Sequence, residues 1–244
     1  MEELDQIEGC NPVIEALRAG RPLQKILIAR EVSGALGAAI GAARAAGVPI
    51  VRTEQRILDR MAKTRNHQGI IAIASARAYA DLDEMVKNAA ARSRIPFLLL
   101  LDGVMDPQNL GGLARTAEAM GVDGIILPER RAVGLTATVE HCSAGALEYL
   151  PVARVTNLTR TMIELKEGGY WSIGAEAGTG ENKLPKLDRP VALVLGGEGS
   201  GLHRLVKEEC DFLISLPMYG RINSLNVSVA GAILMSEIAR KIRG

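Results

Sequence analysis

Five short apolar runs constrain the fold of this chain more than any other feature. They are Phe97-Leu98-Leu99-Leu100-Leu101, Gly124-Ile125-Ile126-Leu127, Trp171-Ser172-Ile173-Gly174, Val191-Ala192-Leu193-Val194-Leu195 and Phe212-Leu213-Ile214. Each has strand length and is too apolar to leave one face in water. Helix-like segments separate them. That alternation predicts a parallel sheet buried on both sides, closed by crossover helices. The pattern begins at Phe97, just after Pro96, and the chain shows no internal repeat or low-complexity tract.

The first 76 residues read differently. Asn11 as N-cap and Pro12 at the first helical position predict a helix from Pro12 to Ala19. Ile26-Leu27-Ile28-Ala29, Pro49-Ile50-Val51 and Ile70-Ile71-Ala72-Ile73-Ala74 are short strands. Between them fall an alanine- and glycine-rich helix, Ser33 to Ala46, stopped by Gly47, and a second helix, Ile57 to Lys63. Such quick alternation predicts a small layered α/β module from about Ile7 to Ala76. Residues 77–95 are a polar, alanine-rich connection with a helix from Leu82 to Ala91, and 96–244 form the second domain. The last element is an apolar helix from Val227 to Ile242. Its Val229, Ile233, Met235, Ile238 and Ile242 exceed what a lone amphipathic helix carries, which points to burial in a two-fold dimer.

Composition narrows the function. At 48% hydrophobic residues the 244-residue chain has enough apolar content for one large domain or two modest ones. No run approaches the ~18 apolar residues of a membrane span, and the acidic start, Met1-Glu2-Glu3, lacks a signal-peptide pattern. Cys10, Cys142 and Cys210 are odd in number and far apart, which reads as reduced, buried thiols in a cytoplasm. His67, His141 and His203 show no ligand spacing with them, so no metal site is expected. The net charge of +1 is too small for bulk-charge binding of nucleic acid. Yet the segment from Arg18 to Arg77 holds eleven basic residues against Glu31, Glu54 and Asp59, an excess of +8. An RNA-facing N-terminal module on a more acidic body follows, with Lys63-Thr64-Arg65-Asn66-His67-Gln68 offering polar donors in one loop. Ordinary solvated helix faces are the plain alternative. An aromatic content of 3% disfavours base stacking and favours phosphate and shape recognition.

Three polar-plus-glycine clusters each follow an apolar run. They are Asp106 to Arg115, Gly196-Gly197-Glu198-Gly199-Ser200-Gly201, and Ser224-Leu225-Asn226-Val227-Ser228. The glycines fail the dinucleotide spacing, since the third would fall at Leu202, and no P-loop pattern occurs. They permit close backbone approach to a flat ligand, or only tight turns. Ser224 and Asn226 lie where a helix begins, and capping explains at most one of them.

These clusters resemble the three motifs of the SpoU family of RNA 2′-O-ribose methyltransferases, within the knotted SPOUT superfamily. Asn109, Gly111, Arg115, Thr116 and Ala117 match the first, Gly196, Glu198 and Gly201 the second, and Ser224 to Ser228 the third. Gly9-Cys10-Asn11-Pro12-Val13 and His67-Gln68-Gly69 resemble the extra substrate-binding domain of the ribosomal-RNA branch. The resemblance implies a parallel sheet with a deep trefoil knot behind a small N-terminal domain. It implies S-adenosylmethionine as co-substrate, no metal, and a cofactor site from Leu195, Gly196, Gly201, Leu216, Met218 and Leu225. For those leucines plain core packing is the other reading. It assigns Arg115 to the acceptor as base or charge stabiliser, aided by Ser224 and Asn226. Asn109 would fix the ribose or Arg115, and Glu198 would orient the neighbouring loop or Arg115. An N-cap for Asn109 and a surface ion pair for Arg115 are the structural alternatives. The implied reaction is 2′-O-methylation of guanosine in large-subunit (23S) rRNA, naked or in a precursor particle, by a cytoplasmic homodimer. Ribose methylation of tRNA and a non-catalytic ribosomal RNA-binding factor are the competing functions.

Overall fold

The computed structural model describes residues 4–30, 34–64, 66–75, 77–178 and 183–243. The chain forms two compact units that do not follow sequence order. The first joins residues 1–78 to a later segment, Gly134–Tyr149, and the second holds Tyr79–Val133 and Leu150–Gly244.

The first unit is built on a four-stranded sheet in the order β1-β4-β2-β3. Its strands are β1 (Leu4–Glu8), β2 (Leu23–Ala29), β3 (Ile50–Thr53) and β4 (Ile70–Ser75). β4 is antiparallel to β1 and β2, and β2 is parallel to β3. Helices α1 (Cys10–Arg18) and α2 (Gly34–Ala45) bury Val13, Leu36 and Ala39 with Ile7, Ile26, Ile28 and Ile70. Helix α3 (Gln55–Met61) places Leu58 against Leu27, Ile71 and Ile73. Strand β1 was not foreseen, because its Asp5, Gln6 and Glu8 masked a five-residue ladder partner. The expected cap also moves. Gly9, at φ 99°, turns β1 directly into α1 with no side-chain cap, and Cys10 N donates to Gln68 Oε1 at 2.9 Å. Asn11 is therefore not the N-cap, and Pro12 sits inside the first turn, where its missing N–H costs nothing. Ser33, Arg65 and Ala76, named in the expectations, lie outside the described residues.

Helix α6 (Ala137–Ser143) and a 3₁₀ turn (Ala146–Glu148) complete this unit. They bring Glu140 and Glu148, both almost fully buried, to two arginines from the N-terminal stretch. Arg77 contacts Glu140 at 2.7 Å and Glu148 at 2.5 Å, and Arg21 contacts them at 3.4 and 3.1 Å. Burial alone would favour loss of the Arg77 proton, but the two carboxylates outweigh it and raise its pKa. Two of the eleven cations are thus neutralised internally. Counted over the whole unit, eleven basic residues face ten acidic ones. The +8 excess belongs to a stretch of sequence and not to the folded unit.

The second unit is a six-stranded, all-parallel sheet in the order β10-β8-β9-β5-β6-β7. The strands are β5 (Phe97–Asp102), β6 (Gly124–Pro128), β7 (Val152–Val155), β8 (Trp171–Ala175), β9 (Val191–Gly196) and β10 (Phe212–Ile214). Five match the apolar runs. The sixth, β7, was missed because Val152-Ala153-Arg154-Val155 is short and interrupted by a charge. Helices α5 (Pro107–Ala119), α7 (Leu158–Glu167) and α8 (Arg204–Glu208) lie in the crossovers, while α4 (Leu82–Arg92) precedes β5 and α9 (Val227–Arg243) follows β10. β9 inserts between β8 and β5, and the chain runs out to the edge strand β10 before α9 returns onto α5 and β9. Gly231 makes that return possible: a Cβ there would lie 2.5 Å from Leu113 and 2.7 Å from Leu195. The Cys210 thiol is pushed up to about 12, by burial first and by Asp211 second, which leaves it protonated and unreactive.

Candidate cofactor and acceptor site

The three loops meet at the carboxyl ends of β5 and β9, where ligands of open parallel sheets bind. Asp106 caps α5 by accepting from Gln108 N at 2.9 Å, and Pro107 fills the first turn. That cap places Asn109 in the buried first turn of α5. Asn226 caps α9: its Oδ1 accepts from Ser228 N at 2.9 Å and Val229 N at 3.4 Å. Its other end points away from the helix. Asn226 Nδ2 donates to Asn109 Oδ1 at 2.9 Å and to Glu198 Oε1 at 2.7 Å, and Asn109 Nδ2 donates to the same Glu198 oxygen at 2.9 Å. One residue from each motif therefore closes a triangle. Both amides have a fixed orientation, and one carboxylate oxygen receives two donors.

The glycines of the second motif are explained mainly by backbone crossings. A Cβ on Gly196 would collide with the Gly201 backbone, and one on Gly197 with the Gly103 carbonyl oxygen. Gly199 and Gly201 adopt φ of 78° and 63°, with open space around them. The last two permit a turn, Gly196 lets the loop close on itself at Gly201, and Gly197 lets it touch the Gly103 segment.

Beside this triangle lies a cavity of about 560 Å³, within the range typical of small-molecule sites. Leu195, Gly196, Gly201, Leu216, Met218 and Leu225 all line it, together with Glu198, Ser224 and Asn226. Apolar walls from Ile214, Val227 and Leu234 suit a flat ring, while Glu176, Asn223 and Ser224 bring polar groups. The donor set fits an adenine-bearing sulfonium: apolar slabs with exposed backbone, and carboxylates near a cation. Among the described residues no cluster of three or more His, Cys, Asp or Glu could hold a metal. No described helix is long and apolar enough to cross a membrane.

Arg115 sits apart from the cavity lining. It is exposed on α5 and makes no ion pair with Glu198, whose carboxylate serves Asn109 and Asn226. The expectation that Glu198 or Asn109 orients Arg115 is not what the geometry gives. Among the described residues Arg115 has no helix-surface ion pair either. Sequence reasoning also missed Asp102, buried at the end of β5. Its carboxylate accepts from His203 N at 2.7 Å and lies 2.9 Å from His203 Nδ1, fixing the exit of the glycine loop. The signal was present, since an acid ending a run of five apolar residues must find buried donors. In the first unit the Lys63–Gln68 loop is held from within: Glu8, fully buried, accepts from Lys63 N at 2.6 Å and Thr64 N at 2.9 Å. His67 is buried against Asp59 at 2.8 Å. Much of that loop's donor capacity is spent on the fold.

Two family profiles match the chain, one on either side of residues 81–95. The profile of the SpoU rRNA methylase family matches residues 96–236, and that of RNA 2′-O ribose methyltransferase substrate binding matches residues 6–80. A Bacillus subtilis protein, YacO, assigned to the TrmH family of tRNA/rRNA methyltransferases, is 47% identical over 243 residues. That match covers 98% of this chain and 97% of the relative. The crystal structure of the SpoU methyltransferase AviRb from Streptomyces viridochromogenes, in complex with AdoMet, superimposes with a TM-score of 0.79 at 24% identity. It covers 98% of this chain and 90% of that one. A TrmH/SpoU tRNA modifying enzyme of A. aeolicus superimposes with a TM-score of 0.53 at 23% identity, over 65% of this chain and 84% of its own.

Proposed function

The chain belongs to the SpoU methylase family, and from that premise we propose that it methylates the ribose 2′-hydroxyl of a guanosine in large-subunit (23S) rRNA. S-adenosylmethionine supplies the methyl group, as an electrophile on a sulfonium. The observation that carries this reading is the Asn109–Glu198–Asn226 triangle set against the cavity lined by Leu195, Gly196, Leu216 and Leu225. A non-catalytic factor has no need of a carboxylate and two amides locked in one orientation at the cavity edge. Gly201 and Met218 close the same cavity.

Within this reading the protein's work is positioning and charge stabilisation. Asn109 and Asn226, held by Glu198, fix the wall on which the acceptor ribose rests, and Ser224 offers a hydroxyl in the same wall. Arg115 faces outward from α5, available to the acceptor. A guanidinium keeps its proton near neutrality, so Arg115 stabilises the nascent alkoxide or a neighbouring phosphate, and the hydroxyl proton leaves to solvent water.

The ribosomal target is supported by the N-terminal unit. The substrate-binding profile covers residues 6–80, whereas the tRNA modifying enzyme aligns with only 65% of this chain. Residues 1–76 accordingly serve as the RNA-binding domain, 77–95 as the connection and 96–244 as the methyltransferase domain, with the enzyme working in the cytoplasm. Mapping 2′-O-methyl groups in total rRNA and tRNA from a strain lacking this protein tests the proposal. Loss of one 23S guanosine mark, restored by the purified protein with S-adenosylmethionine, is the expected result. Loss confined to a tRNA position would replace the substrate, and intact marks in both would overturn the reading.

The protein also acts as a homodimer in this reading. α9 buries Leu234, Met235 and Ile238 but leaves Val229 at 47% and Ile233 at 39% exposed, one turn apart. In the loop before α9, Ile222 and Tyr219 are also exposed, at 72% and 94%. Large apolar side chains exposed together on one helix suit a partner surface. Light scattering at micromolar concentration is expected to return twice the 26.0 kDa chain mass. A monomer mass would remove the dimer from the proposal.

A further inference from the structure

We propose that the loop after β6, residues 129–133, is a second RNA contact, in which Arg130 and Arg131 take backbone phosphates flanking the acceptor nucleotide. The inference rests on the reading that RNA is the substrate, and it places part of the RNA grip on the catalytic unit itself.

Position is the first observation. The loop leaves the carboxyl end of β6, beside β5, and Val133 N donates to Val104 O at 3.1 Å. It thus runs alongside the segment Gly103–Asp106 that leads into Asn109. Nucleic acid presented to Asn109 and Arg115 passes over both loops.

The second observation is that the loop is held in shape. Glu129 N donates to Val155 O at 2.9 Å, and Arg154 Nη2 donates to Glu129 O at 2.8 Å. Arg131 adopts φ 60°, a left-handed conformation that long side chains rarely take. Glycine or asparagine would hold such a turn with less strain, and strain kept at a surface loop points to function.

The third observation is charge. Arg130 and Arg131 are exposed and have no carboxylate within ion-pair distance among the described residues. Some exposed arginines are paired, as Arg18 is with Glu15 and Arg160 with Glu164, and others, such as Arg44 and Arg60, have no ion pair among the described residues. What sets Arg130 and Arg131 apart is that they are adjacent on a braced loop beside the segment leading into Asn109. The one acid on the loop, Glu129, is outnumbered by Arg130, Arg131 and Arg154. Unpaired guanidiniums on a braced loop suit bidentate phosphate contacts, which position nucleic acid without reading its sequence.

The test uses the full-length protein and the RNA it methylates. In an Arg130→Glu/Arg131→Glu variant the KM for RNA should rise about ten-fold or more at 0.15 M salt. The slope of log affinity against log salt should fall by about 1.4 to 1.8, for two lost phosphate contacts. Affinity for S-adenosylmethionine should stay unchanged, which also reports that the unit is folded. Arg131→Gly, which relieves the strained backbone while removing the charge, should show about half of the slope change. An unchanged slope and KM, with wild-type protein active on the same RNA, would overturn this inference and leave the proposed function standing. Wild-type protein that neither binds nor methylates RNA would overturn the proposed function instead.

Discussion

Arg115→Ala is expected to lower methyl transfer by about 10²–10³-fold or more while leaving affinity for S-adenosylmethionine within about three-fold. The separation follows from geometry. Arg115 is exposed on α5 and absent from the cavity lining, whereas Leu195, Gly196, Leu216 and Leu225 form that lining. Nothing in the Asn109–Glu198–Asn226 triangle depends on the guanidinium, so its removal leaves the wall in place. Arg115→Lys should restore part of the rate, because it keeps the charge but loses the planar fork. Single-turnover kinetics with calorimetry of cofactor binding make the measurement. Lost cofactor binding with turnover retained at excess cofactor would reverse these roles.

Glu140→Ala is expected to destabilise the first unit by about 3–5 kcal/mol, the cost of stranding one member of a buried ionic cluster. Glu140 is 1% exposed and meets both Arg77 and Arg21. Its removal leaves Glu148 as the main counter-charge for two largely buried guanidiniums. Hydrogen exchange reads the effect locally. Amides of β1 and β4 should exchange roughly two to four powers of ten faster. Those of β5 and β9, in the other unit, should keep their protection. Glu140→Gln, which retains the shape but not the charge, should fall between. Equal loss of protection in both sheets would mean that the cluster supports the whole molecule and not its own unit.

The parallel sheet was legible because burial on both faces demands unbroken apolar runs, and β5, β6 and β9 have them. The shorter β8 and β10 were read from the same pattern. Segments whose fold depends on a distant partner were not legible. β1 carries Asp5, Gln6 and Glu8 and is a strand only because β4 supplies its ladder; Glu8 is tolerated at full burial only because Lys63 and Thr64 turn their amides toward it. Likewise β7 exists as an edge completed by β6, and 134–149 joins the first unit through Glu140 and Glu148, which local sequence reads as surface acids.

The site divides along the same line. Resemblance to the motifs of the SpoU family named Asn109, Arg115, Glu198, Ser224 and Asn226, because chemistry needs particular functional groups and those are written in residue types. Which of them touch is a matter of three loops 89 and 117 residues apart in the chain meeting at one sheet edge. Asn226 illustrates both halves. Its place at the start of an apolar helix predicts a cap, and its Oδ1 is one. Its Nδ2 joins Asn109 and Glu198 only because β9 lies next to β5 and α9 returns over them. Residue type and periodicity are local properties, so the sequence carries them directly. Hydrogen-bond partnership and charge neutralisation depend on distances through space, and only the folded chain sets those.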